Sequence, residues 1–241
     1  VPHRKFAFVT PAIGSVFTDG FKAGYTPKDV KELMSIDVPE HENPSVAPPE
    51  TEPETPDVAV TEKAEPQDII EKYGVAVEVL EDGSLDIEYS FLWKAIDETE
   101  ELTWVDIGMA NSMFTVYEDS ISGNIKAYTE IYEDGYTGVR LDFKRGYKGG
   151  ENIQFSFKVN QKDMLCKDTD MYFYEFVPCW FNSTPVENYE FKWKKTDYID
   201  EADGAKLKRD FHIWSGSLDC GEYEMLQVSY DLDAFKDVEI G

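Results

Sequence analysis

The stretch Val75-Ala-Val-Glu-Val-Leu-Glu-Asp-Gly-Ser-Leu-Asp-Ile-Glu-Tyr-Ser-Phe91 decides the fold of this chain. Val75, Val77 and Val79 recur at every second position, and Leu85, Ile87, Tyr89 and Phe91 repeat the pattern beyond Asp82-Gly83. A period of two sends successive side chains to opposite faces of a sheet, so each run reads as a strand with one apolar and one acidic face. Asp-Gly supplies the positive φ angles of a two-residue type I′ turn. The spacing therefore predicts a long antiparallel hairpin. In this register Val77 and Ile87 enter the core, while Glu78 and Glu88 face solvent.

Downstream the same signature continues. Alternating or aromatic-rich runs at 102–107, 113–117, 125–132, 139–143, 153–159, 171–177, 186–193, 207–214 and 223–230 are separated by turn signals such as Asp134-Gly135 and Gly149-Gly150. No helical period intervenes. That pattern predicts an all-β domain over 68–241, an immunoglobulin-like antiparallel β-sandwich.

Upstream the chain changes character twice. Residues 1–36 form an N-terminal segment with one short helix expected over 26–34, where Thr26 can N-cap, Pro27 suits the first helical position and Asp29 favours the helix N-terminus. Residues 37–67 hold seven of the twelve prolines, nine acidic residues and the single Lys63. With little to bury, this segment reads as a stiff, solvated, acidic linker.

Charge narrows the partners. Acidic residues outnumber basic ones 49 to 23, a net charge of −26. Phosphate backbones and anionic membranes call for clustered Lys and Arg, so no nucleic acid is expected as a partner. A membrane is expected only through segments outside this chain, since no apolar run is long enough to span one. The chain begins with Val, which reads as a processed chain or a fragment. Cys166, Cys179 and Cys220 lack paired metal-ligand spacing. A Cys166–Cys179 disulfide and three idle thiols are the alternatives.

No catalytic constellation stands out. The histidines are His3, His41 and His212; none sits in a recognisable relay, and no GxSxG, HExxH or phosphate loop occurs. Carboxylate pairs are so frequent in this chain that they identify no glycosidase. No catalytic residue and no organic cofactor are assigned. Among the tryptophans, Trp104 and Trp193 lie in alternating runs and are expected in the core. Trp180, at a strand end, is the candidate ligand-binding ring for a sugar. Asp197, Asp200 and Asp203, with Glu201, precede Gly204 and are the candidate Ca²⁺ ligands, because close carboxylates on a turning loop suit a hard cation. The alternative for them is a solvated acidic loop. Asp168 and Asp170 form a thinner candidate. Asn182-Ser-Thr184 matches a glycosylation sequon, which matters only in a eukaryotic secretory host.

The segment Tyr73 to Tyr89 resembles the "V.V..DGSL.V.E...F" hairpin that opens the ectodomain of a bacterial family of predicted membrane proteins. Met171-Tyr-Phe-Tyr-Glu-Phe-Val-Pro-Cys-Trp-Phe181, leading to Pro185-Val186, looks like that family's second landmark. Trp214-Ser-Gly-Ser-Leu-Asp-Cys-Gly-Glu222 with Val228-Ser-Tyr230 looks like its closing strand pair. The resemblance spans about residues 69–235, and the acidic spacer departs from it. It implies an extracytoplasmic β-sandwich, extracellular or at the cell surface and membrane-anchored by segments outside the chain, with no catalytic residue to carry over. The expected role is non-enzymatic presentation or recognition of a protein or cell-surface glycan. A carbohydrate-binding or adhesion module is the alternative, and a hydrolase the third.

Overall fold

The computed structural model describes residues 6–7, 66, 68–133, 135–178 and 180–238. The expected helix at 26–34 and the acidic linker up to Glu65 lie outside these residues. The strands, in chain order, are β1 (Phe6–Ala7), β2 (Asp68–Val79), β3 (Leu85–Ala95), β4 (Leu102–Gly108), β5 (Phe114–Gly123), β6 (Ile125–Glu133), β7 (Tyr136–Tyr147), β8 (Asn152–Gln161), β9 (Cys166–Lys167), β10 (Tyr172–Phe176), β11 (Val186–Lys194), β12 (Ile199–Ala202), β13 (Lys206–Lys208), β14 (Phe211–Leu218) and β15 (Leu226–Tyr230). A 3-10 turn, Leu232–Phe235, follows.

These strands form a seven-stranded sheet of order β13-β14-β11-β2-β3-β8-β5 and two four-stranded sheets, β1-β4-β7-β6 and β12-β15-β10-β9. The opening hairpin lies at the centre of the large sheet. Val77 and Ile87 are 1% and 0% exposed and pair across the hairpin, as the alternation requires. The inner face of the large sheet is lined with rings. Tyr73 stacks on Phe91 at 4.6 Å and Phe91 on Phe155 at 4.7 Å, joining β2, β3 and β8. Such pairs add about 0.5–1.5 kcal/mol each beyond the area they bury.

Both small sheets close over that inner face. Phe143 of β7 meets Phe155 at 5.6 Å. Tyr174 of β10 meets Trp193 of β11 at 5.4 Å, and the Trp193 indole donates to the Tyr230 hydroxyl at 2.6 Å. The architecture is thus all-β and sandwich-like, one large layer covered by two small ones.

Polar pins fasten neighbouring strands. Asp68, 1% exposed, accepts from the Trp93 indole and from Thr184 Oγ1, both at 2.9 Å, and so fastens the start of β2. Asp106, fully buried on β4, takes a bidentate pair from Arg140 at 2.8 Å. The Arg140 guanidinium also lies 4.0 Å over the Trp104 ring.

Three local expectations are corrected. The β2–β3 turn is not a two-residue loop. The Gly83 N–H returns to Leu80 O and the Leu80 N–H to Ser84 O, a longer turn with positive φ at Gly83 but not at Asp82. Asp82 instead uses its carboxylate, accepting from the Ser84 N–H at 3.0 Å and its hydroxyl at 2.6 Å. The run 207–214 is not one strand but two, β13 and β14, folded at Arg209-Asp210 with Arg209 at φ 55°. No glycine marks that turn. Finally, β2 pairs antiparallel with β3 but parallel with β11, a long-range pairing inside an otherwise antiparallel sheet.

Val77→Asp or Ile87→Asp places an unpaired charge among these rings and is expected to cost about 4 kcal/mol or more, enough to unfold the domain. Glu88→Lys, on the exposed face, is expected to leave the melting temperature within a degree or two of wild type, roughly ±0.5 kcal/mol. Thermal melts of the two sets read the register directly.

Candidate functional site

The face of the large sheet turned away from the small sheets is uncovered by any described strand. Its residues are the outward positions of the same alternating strands. One lateral row runs Ser215–Glu190–Gly74–Ser90–Ser156–Ser122 across β14, β11, β2, β3, β8 and β5. Nearly all of these side chains are short. At Gly74 the Ser90 hydroxyl occupies the space a Cβ would take, and a side chain there would turn that hydroxyl aside.

Longer polar side chains stand on both flanks of this row. Lys192, Glu88 and Lys158 stand on one side, and Lys72 and Gln154 on the other. Register shifts in β2, β5 and β11 bend these strands, since a bulge increases local twist. The result is a concave trough with a volume of about 1110 Å³.

The trough combines apolar surface with charges of both signs. Lys158 pairs with Asp86 at 2.7 Å and Lys192 with Glu190 at 2.6 Å. Lys72 and Glu88 make no ion pair among the described residues. Ser122 and Ser156 share a hydrogen bond at 2.8 Å, and Ser90 Oγ donates to Gly74 O at 3.4 Å. These hydroxyls have no histidine partner among the described residues. The arrangement can form hydrogen bonds with an extended polar ligand.

At one margin Asp86 accepts from Tyr117 at 2.8 Å and from Asn160 at 3.1 Å besides its lysine. Partial burial works against its charge, but the hydrogen bonds from Lys158, Asn160 and Tyr117 outweigh it and hold the carboxyl below its ordinary 3.8. The bond to Asp86, with some help from burial, raises the Tyr117 phenol.

The residues singled out from the sequence lie elsewhere. Trp180 is half-buried on the loop between β10 and β11, tilted against Tyr223 at 5.5 Å. Its indole N–H is buried without a partner among the described residues. Trp193 is fully buried as expected, whereas Trp104 is half-buried on the outer side of its sheet beneath Arg140.

Asp197, Asp200 and Asp203 are all exposed, in the loop before β12, on β12 and in the turn after it. Asp203 is tied through its backbone, its N–H to Gln227 O and its carbonyl to the Trp214 indole. Among the described residues no group of three His, Cys, Asp or Glu is arranged to hold a metal. Asp168 and Asp170 are exposed beside β9. Cys166 and Cys220 are free thiols, Cys166 with its pKa raised mainly by burial; Cys179 lies outside the described residues.

Sequence reasoning missed the trough. Its serines and glycine were read only as the solvent side of strands, and small outward residues become a floor only when six strands align them.

No protein-family description and no curated protein matches the chain. Among solved structures it is similar to the M1 zinc metallopeptidase from Deinococcus radiodurans, at 11% identity and a TM-score of 0.45, over 67% of this chain and 42% of that one. It is also similar to the folded domain of LppM from Mycobacterium tuberculosis, at 10% identity and a TM-score of 0.29, over 68% of this chain and 91% of that one. At those scores neither likeness bears on what this chain does.

Because the Asp86 pKa is depressed, its stabilisation is complete above the unfolded value and is lost as pH falls through the folded one. Asp86→Asn is therefore expected to melt below wild type at pH 7, with the difference closing below about pH 3. Melting temperatures measured from pH 7 to pH 2 check this; a constant gap would leave Asp86 without its proposed partners.

Proposed function

We propose that this chain carries a non-enzymatic, immunoglobulin-like β-sandwich domain of a bacterial membrane-anchored or cell-surface protein, and that the domain recognises a partner protein. The observation that carries this reading is the trough. A sheet face with a serine and glycine floor admits another chain closely, and the polar flanks can orient it by hydrogen bonds. The acidic, proline-rich stretch before β2 supports a role in which the domain is held away from its anchor. The resemblance of the opening hairpin, the aromatic segment and the closing strand pair to bacterial ectodomains supports the location.

Glycan binding by ring stacking draws no comparable support. Trp93, Trp193 and Trp214 are buried, Trp104 lies under Arg140, and Trp180 is outside the trough.

A photoreactive benzoyl-phenylalanine at Ser90 is expected to cross-link the partner in source cells, whereas one at Glu130, on the exposed edge of β6, is not. Ser156→Trp fills the floor and is expected to reduce the cross-link at least tenfold without moving the melting temperature. Equal yields from Ser90 and Glu130 would remove the trough from the mechanism. Protease shaving of intact cells checks the surface location separately.

A further inference from the structure

The second strand that the sequence concealed, β13, sits at one edge of the seven-stranded sheet. It pairs with β14 through Lys206↔Ile213, Leu207↔His212 and Lys208↔Phe211, and no described residue pairs with its other side. All three of its residues are exposed, Leu207 by 57%. Lys206 and Lys208 make no ion pair among the described residues. Behind them the pattern repeats: Lys192 lies across Ile213 from Lys206, and Lys194 lies across Phe211 from Lys208. Lys192 and Lys194 are neutralised by Glu190 and Glu78, so in a chain of net charge −26 the free positive charge of this corner lies on Lys206 and Lys208.

Three of the other edges are built differently. Strand β5 carries Glu118 and Asp119, β6 carries Glu130 and Glu133, and β12 carries Asp200 and Glu201. An unpaired strand edge offers free N–H and C=O groups to any extended chain, and charge decides which chain can approach. Two copies of β13 repel each other, because like charges directly opposite are unfavourable. The lysines that block self-pairing also select the complementary sequence. With alternate side chains on alternate faces, an incoming strand places residues i and i+2 beside Lys206 and Lys208 and residue i+1 beside Leu207.

We propose that the β13 edge is a strand-acceptor site for a partner protein, taking an extended segment with the alternation acidic–apolar–acidic. The site stands on this edge alone and is independent of the trough. The remaining negative charge of the domain opposes an acidic partner at long range, but at physiological salt screening acts over about 8 Å, so the local lysines dominate. Recognition is therefore short-ranged, and the backbone ladder supplies what the charges do not.

The test uses the full chain and three fluorescein-labelled peptides: Gly-Thr-Glu-Val-Glu-Thr-Gly, Gly-Thr-Lys-Val-Lys-Thr-Gly and Gly-Thr-Glu-Pro-Glu-Thr-Gly. Fluorescence polarisation at physiological salt is expected to show the first binding at least tenfold more tightly than either other. Amide chemical-shift changes should be confined to Lys206–Lys208 and their β14 neighbours. In the double variant Lys206→Glu, Lys208→Glu, whose exposed positions leave the melting temperature unchanged, the preference is expected to invert in favour of the lysine peptide.

Equal binding of the Glu-Val-Glu and Glu-Pro-Glu peptides would overturn strand addition, since proline cannot complete the ladder. Absence of any preference, or of binding, would overturn the site. Concentration-dependent self-association of the chain alone, abolished by the double variant, would assign the edge to a second copy and overturn the foreign partner.

Discussion

The burial of a ring-lined face by β2, β3, β8 and β11 is the constraint on which the rest of the molecule depends. Tyr73, Phe91 and Phe155 stack across three strands, and Phe191 meets Tyr73 edge-on at 5.4 Å. Side chains of that size cannot face water on a sheet this wide without a large unfavourable exposure of apolar area. Two small sheets cover them; the Trp193–Tyr230 bond ties one cover to the large sheet, while Asp68 and Asp106 fasten strands within their own sheets.

Because every strand alternates, filling one face leaves the other to different requirements. The outward positions of the same four strands carry Ser90, Ser156, Gly74, Ala76, Glu190 and Lys192. They bury little, so their identity is free to serve contact with something else. The bulges that curve the sheet turn this free face from a plane into a trough. In this way packing on one side and access on the other follow from a single periodicity.

Charge works on the edges and surface, where packing does not decide. Each exposed edge needs protection from edge-to-edge pairing, and like charge supplies it. Strands β5, β6 and β12 do so with acids, in keeping with the composition, while β13 does so with lysines. The arginine and lysine residues with structural duties, Arg140 on Asp106 and Lys158 on Asp86, are committed to ion pairs, which sets the unpaired Lys206 and Lys208 apart.

The sequence by itself determined the all-β class, the opening hairpin and the inward set of that hairpin. Those follow from a period of two in local stretches, and Val77, Ile87 and Trp193 lie where it puts them. The exact turn at Asp82-Gly83 escaped it, because the carboxylate of Asp82 binds Ser84 and one residue more enters the loop. The β13–β14 turn escaped it too, since Arg209-Asp210 carries no glycine and the alternation runs on through it. Trp104 was read as core from its alternation alone; the side it faces depends on which sheet covers which face. Only the tertiary structure could join β2 in parallel to β11, more than a hundred residues away, and align Gly74, Ser90 and Ser156 into one floor. Periodicity along a strand records which face a residue takes, but lateral register between distant strands is set by the packing of the whole sheet.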